Sequence, residues 1–211
     1  LYDQPTPVRR HEVTTALEAL LSDVSLSRNM LEQMVDARQR DLETTPFATL
    51  QALEEYAAHT SSSVLHLALE VLKVTDPNAQ QLAYHLGIAW GITRLLRSVY
   101  RQLPRGFCCI PRDRMQAQEL SLDHFGSDEF ADVFISEVQA LIEVAKGHII
   151  QAQALFQEVP QKTRHTIKPV WSLVLLTEYY LSAVQRNGYD VLRYALPERP
   201  DFLTLWKIWI K

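Results

Sequence analysis

An all-α helical bundle is the fold this sequence predicts, and three observations predict it. Apolar residues recur at helical spacing along most of the chain. Strand-like alternation of useful length is absent, as is any repeat of fixed period. Glycine is scarce, with 6 in 211 residues against an average usage of about 7%, which disfavours architectures built on tight turns. With 47% hydrophobic and 22% charged residues, the chain can build a core and is not a disordered segment.

Each element follows from its local pattern. Val13, Ala16, Leu17, Leu20 and Leu21 form the stripe of an amphipathic helix over 9–22. Ser27 begins a second stripe through Met30, Leu31, Met34, Val35 and Ala37, with Asp41 near its end and Pro46 as its breaker. Thr49 is an N-cap for a long helix carrying Leu50, Leu53, Tyr56, Ala57, Leu65, Leu69 and Leu72. Asp76-Pro77, cap then first turn, starts a helix that runs to Leu103, where Pro104-Arg105-Gly106 interrupts it. The stretch 107–110 reads as extended, and Pro111 opens a helix of one to two turns. Gly126-Ser127 precedes a long helix over 128–157. A further helix over 169–186 stops at Asn187-Gly188, and a short one covers 201–210. Residues 1–211 read as one domain of helices joined by short connectors.

Charge and cysteine content remove several function classes. A formal net charge of -4 argues against bulk binding to nucleic acid. Cys108 and Cys109 are neighbours, so they close no useful loop, and they read as small apolar residues of a reducing compartment. The longest stretch free of Asp, Glu, Lys and Arg, 77–93, contains Asn78, Gln80, Gln81 and His85 and is no membrane span. Because the chain opens on Leu1, an upstream segment such as a cleaved leader is expected to be missing from it.

The most informative stretch is LGIAWGITRLLRSVYRQLPRGFCCIPRD, from Leu86 to Asp113. Upstream lie Ala37-Arg38-Gln39-Arg40-Asp41-Leu42 and LEEYAAHTSSS, from Leu53 to Ser63. Together these elements resemble the squalene/phytoene synthase family, whose corresponding segment runs approximately LGxAxQLTNILRDVxxDxxRGRxYLPxD. The resemblance implies an isoprenoid-synthase-like bundle. In that family, carboxylates on facing helices hold Mg²⁺, which neutralises the diphosphate leaving group of an allylic substrate.

Here the downstream aspartate motif is replaced. Arg94 stands at the family's asparagine, Ser98 at its first aspartate and Gln102 at its second, while Arg97 is kept. The upstream motif would precede Leu1. A fixed positive charge at Arg94 repels a divalent cation, so the reading is a pseudoenzyme with no cofactor, no metal and no catalytic residue. Gly87, Gly91, Arg94, Ser98 and Gln102 mark the degenerate family cavity. Glu43, Glu54 and Glu55 are the nearest acids that could substitute, and they read as a solvated helix face. Asp41 and Asp113 match family positions, with caps or loop pins as their role.

Within the family, the run from His85 to Ile92 followed by Leu96-Arg97-Ser98-Val99-Tyr100 is most similar to the branch of mitochondrial complex I assembly factors. That branch implies a matrix protein peripheral to the inner membrane, with complex I subunits or assembly intermediates as partners. It departs at Val99-Tyr100-Arg101, where the branch carries Pro-Tyr-His. Two alternatives stay open: a Mg²⁺-dependent head-to-head prenyltransferase, and a permanent structural subunit of a large mitochondrial complex.

Arg94, Arg97, Arg101 and Arg105 approximate one helical stripe, with Arg112 and Arg114 following. They are candidates for contact with a phosphate, an anionic lipid headgroup or an acidic partner, or for pairing with acids on neighbouring helices. Gly87 and Gly91 allow close helix approach. His59 and His66 are too far apart for a metal pair, and His85 and His165 stand alone. The terminal DFLTLWKIWIK, with two Trp and two Lys, reads as a core cap or helix dock, with a membrane-surface role as the alternative.

Overall fold

The computed structural model describes residues 11–42, 45–194 and 196–210, the last four by backbone alone. Among them the regular elements are all helical. Helix α1 (Glu12–Asp23) is capped by His11, whose Nδ1 accepts from Val13 N at 3.2 Å. Helix α2 (Arg28–Gln39) continues into a 3₁₀ turn, Arg40–Leu42. The helix predicted from Thr49 forms as α3 (Leu50–Ala57) and α4 (Ser63–Val71), joined without a break by a π turn, Ala58–Ser62. Thr49 Oγ1 accepts from Ala52 N at 3.2 Å, which is the cap its position predicts.

Helix α5 (Pro77–Gln102) is the axis of the molecule. Asp76 Oδ1 caps it through Ala79 N at 2.9 Å, and Pro77 occupies the first turn, where its missing N–H costs nothing. Between Leu82 and Leu96 it is buried on nearly all sides, because α3, the π turn, α4 and the later helices surround it. A 3₁₀ turn, Leu103–Arg105, ends it at Gly106, whose φ of 85° suits a residue without Cβ. The stretch 107–110 joins no sheet. Its Cys108, Cys109 and Ile110 are buried, and Arg112 N donates to Phe47 O at 2.7 Å.

Helix α6 (Arg112–Ala117) follows Pro111 as predicted. Helix α7 (Asp128–Glu158), capped by Ser127 Oγ through Phe130 N at 3.1 Å, packs along α5. Its buried face runs Phe130, Phe134, Val138, Leu141, Ile142, Ala145, Ile149 and Ala152, a helical stripe. Within that stripe Glu137 is 2% exposed and is bound by the Arg114 guanidinium.

The single helix predicted over 169–186 is instead divided. It forms as α9 (Lys168–Trp171) and α10 (Leu173–Arg186), and a further short helix, α8 (Gln161–Thr166), precedes them. Pro169 lies in the first turn of α9, and Ser172, at the junction with α10, donates its Oγ to Pro169 O at 2.8 Å. Helix α11 (Phe202–Ile210) rests on α10, yet Phe202 is 74% and Trp206 48% exposed. Its described side chains therefore do not cap the core, which leaves helix docking and a membrane-surface role of the readings given to this segment. Helices α1 and α2 likewise contain no buried residue, so their stripes are only partly covered.

Candidate functional site

A recess of ≈ 350 Å³ opens between the end of α2, the junction of α3 with the π turn, and the C-terminal half of α5. Arg38, Asp41 and Leu42 border it from the first of these, and Tyr56, Thr60 and Ser61 from the second. Gly91, Arg94, Leu95, Ser98 and Gln102 come from α5, which continues to Arg105 and Phe107 at the rim. The α5 residues recur at intervals of three and four, so one helix face supplies the wall.

Asp41, Tyr56 and Arg38 form a closed network at the border. Tyr56 Oη donates to Asp41 Oδ1 at 2.5 Å, and Arg38 Nη1 lies 2.9 Å from Asp41 Oδ2 and 3.2 Å from Tyr56 Oη. Burial, followed by the bond to Asp41, pushes the Tyr56 phenol up to about 12, so it remains a donor at neutral pH. Thr60 Oγ1 is satisfied by Tyr56 O at 2.7 Å, and Ser98 Oγ lies 2.8 Å from both Leu95 O and Gln102 Oε1. Ser61 differs: it is 4% exposed, and its Oγ has no hydrogen-bond partner among the described residues.

Arg94 has no carboxylate within ion-pair distance among the described residues. Burial, and then the neighbouring Arg38, draw its pKa down from the ordinary arginine value. A guanidinium stays charged under that pull, so the recess carries an unneutralised cation.

The sequence matches the squalene/phytoene synthase family over residues 1–203. The chain belongs to that family. It is 28% identical over 181 residues to the mouse protein named NADH dehydrogenase (ubiquinone) complex I, assembly factor 6, covering 86% of this chain and 53% of the relative. The chloroplastic phytoene synthase of Daucus carota is 24% identical over 181 residues, covering 83% of this chain and 45% of the enzyme. The chain thus spans about half the length of these curated relatives. A dehydrosqualene synthase crystallised with ligand superposes with a TM-score of 0.79 over 96% of this chain and 70% of that one, at 16% identity. That likeness establishes the isoprenoid-synthase helical fold.

The family frame locates the predicted site residues. Of the residues expected to mark the degenerate cavity, Arg94, Ser98, Gln102 and Gly91 line the recess and Gly87 does not. A Cβ at Gly87 would stand 2.3 Å from Ser62 Cα, so this glycine exists for the contact of α5 with the π turn. At Gly91 a Cβ would meet Ala57 Cβ at 2.6 Å.

The arginine stripe divides. Arg94 and Arg105 border the recess, whereas Arg97 and Arg101 border a separate cleft with Tyr100, Leu196 and Glu198. Arg97 lies 3.7 Å from the Tyr180 ring centroid and donates to Glu198 O at 3.3 Å, an anchoring role for the segment after α10. At a pitch of 100° per residue, Gly91, Leu95, Ser98 and Gln102 fall about 40–100° to one side of Arg94, whereas Arg97 and Arg101 fall about 60° and 20° to the other. Arg112 is exposed on α6.

Of the acids weighed as substitutes, Glu43 lies outside the described residues. Glu54 lies 3.2 Å from His148 Nε2, Glu55 accepts from Gln51 Nε2 at 2.8 Å, and neither borders the recess. His85 is not alone: its Nδ1 is 2.9 Å from His148 Nδ1, linking α5 to α7. Arg38, Tyr56, Thr60 and Ser61 were not singled out as site residues from sequence. The available signal was the i, i+3 spacing of Arg38 with Asp41 and the i, i+4 spacing of Tyr56 with Thr60.

Proposed function

We propose that this chain is part of a non-catalytic squalene/phytoene synthase-like protein that acts in assembly of mitochondrial respiratory complex I. In this reading it works by binding complex I subunits or assembly intermediates, in the matrix and peripheral to the inner membrane. Similarity to the protein named complex I assembly factor 6 supports the process. No helix among the described residues is long and apolar enough to cross a membrane.

The observation that carries the non-catalytic reading is the chemistry of the recess. The family implies Mg²⁺ there, and the donors do not suit it. A guanidinium, a hydroxyl and a carboxamide stand where the motif comparison puts one asparagine and two aspartates. Asp41, the carboxylate among the described lining residues, already accepts from Arg38 and Tyr56. A hard cation that needs anionic oxygen would instead face the charge of Arg94. Arg101 and Arg112, exposed outside the recess, supply basic contacts for an acidic partner surface.

The test pairs a cellular and a chemical measurement on the full-length protein. Depleting it should lower assembled complex I on native gels, and re-expression should restore it. Purified protein given farnesyl diphosphate and Mg²⁺ should release no diphosphate. Turnover to a head-to-head product would overturn the non-catalytic reading in favour of a prenyltransferase. Normal complex I after depletion would remove the assembly role.

A further inference from the structure

We propose that helix α11 is the segment by which this protein lies on an anionic lipid bilayer, in the plane of its surface, nine residues being too few to span it. The proposal rests on the reading of the protein as peripheral to a membrane and not on the role in complex I assembly.

Three observations lead to this partner. The first is the breadth of the exposed face. Phe202, Leu203, Leu205 and Trp206 are 74%, 67%, 49% and 48% exposed. At 100° per residue they span an arc of about 160°, and the half-buried Thr204 falls opposite its centre. Helix α11 therefore rests on α10 by a narrow side and turns large apolar side chains outward over nearly half its circumference. Helices pack on one another along a narrower seam, so a partner helix would leave part of this arc in water. A bilayer surface receives such a helix from every side that the protein leaves open, with the apolar face at the boundary of head groups and acyl chains.

The second is the kind of side chain. Tryptophan is favoured at that boundary, because its ring is apolar and its N–H is a donor. The Trp206 ring lies 6.2 Å from that of Phe202, one turn earlier on the same exposed face.

The third is charge. The chain has a formal net charge of -4, so an anionic surface repels it as a whole. Over 199–211 the balance reverses, with Arg199, Lys207 and Lys211 against Asp201. Arg199 is exposed, and Asp201 Oδ1 is turned to the helix start, where it accepts from Thr204 N at 2.7 Å. Basic residues beside an apolar face are drawn to an anionic head-group layer at short range.

The helix is also held in place. Glu198 O accepts from Arg97 Nη2 at 3.3 Å and from Tyr180 Oη at 3.4 Å, which pins the segment leading into α11 to the bundle. The contact thus sets the orientation of the bundle on the surface.

The experiment is sedimentation of the full-length protein with phosphatidylcholine vesicles, with and without phosphatidylglycerol. Binding that phosphatidylglycerol strengthens and high salt weakens is the expected result. Phe202→Ser/Trp206→Ser should lower the partition coefficient by roughly tenfold or more, since it removes two apolar side chains from the interface and none from the core. Arg199→Gln/Lys207→Gln should lower it by roughly tenfold on vesicles with phosphatidylglycerol and leave binding to phosphatidylcholine alone unchanged. On the wild type, brominated phosphatidylcholine in the same vesicles should quench tryptophan fluorescence, a readout that needs no substitution.

Wild type that stays in solution overturns the proposal together with the peripheral-membrane reading, and leaves the face to a protein partner. Binding without quenching, or equal binding by wild type and Phe202→Ser/Trp206→Ser, overturns the assignment to α11 and leaves the peripheral reading standing. Binding indifferent to phosphatidylglycerol overturns the choice of an anionic surface. Assembly of complex I on native gels is scored separately, so the two readings fail separately.

Discussion

His85 Nδ1 lies 2.9 Å from His148 Nδ1, so a hydrogen bond between them needs one of the two nitrogens unprotonated to accept. Burial first, and the neighbouring His148 second, draw the His85 pKa below its ordinary 6.5. A histidine whose folded pKa lies below its unfolded value favours the folded state fully above pH 6.5, and that contribution falls as pH drops from there toward the folded pKa. Thermal melting should therefore decline as pH falls below 6.5 more steeply in wild type than in His85→Asn. Equal slopes would show that the pair does not bias the fold. The partner was not legible from sequence, because 63 positions separate the two histidines and only the packing of α5 on α7 brings them together. Ser61 teaches the same lesson, since a run of three serines gives no sign of which hydroxyl is left unpaired.

Among elements, α5 decides the architecture. Its caps, length and breaker were all legible, since Asp76-Pro77 and Pro104-Arg105-Gly106 act locally on the backbone. The π turn was not, because it inserts one residue into a continuous helical pattern and leaves the periodicity almost intact. It is this turn that lies against Gly87, so α5 and the α3–α4 helix meet at backbone distance. Gly87→Ala improves helix propensity by about 1 kcal/mol, but its Cβ would collide with backbone atoms of Ser62 at 2.3–2.5 Å. Overpacking of that kind costs about 1–3 kcal/mol, so the variant should unfold at lower denaturant. A midpoint equal to or above wild type would refute the close-contact account. The split of the arginine stripe belongs to this scale as well: on one helix, Arg97 falls on the other side of Arg94 from the recess wall and meets Tyr180, while Arg94 faces the recess.

Across the whole molecule, one continuous core extends from Phe47 to Val191, and both cysteines are inside it. Burial pushes the Cys108 thiol up to about 11 and Cys109 well above its ordinary value, so neither supplies much thiolate near neutrality. Iodoacetamide should therefore label the native protein slowly, with labelling rising in step with the loss of helical circular dichroism in denaturant. Rapid labelling in native buffer would instead reveal local opening of the 107–111 segment. The same core holds the helices that border the recess. Gly87 and Gly91 hold α5 against α3 and the π turn whether or not a metal can bind beside them.

The sequence by itself determined the helical class, the positions of most helix starts and stops, and the family, because each is written in short-range periodicity, caps and contiguous motifs. It also placed Arg94, Ser98 and Gln102 on one face of α5. Only the tertiary structure decided that Arg38, Tyr56 and Ser61 complete that face into a recess, that Arg97 leaves it, and that His85 meets His148. Those outcomes depend on how distant helices pack, and packing is set by contacts between residues that the linear sequence does not bring together.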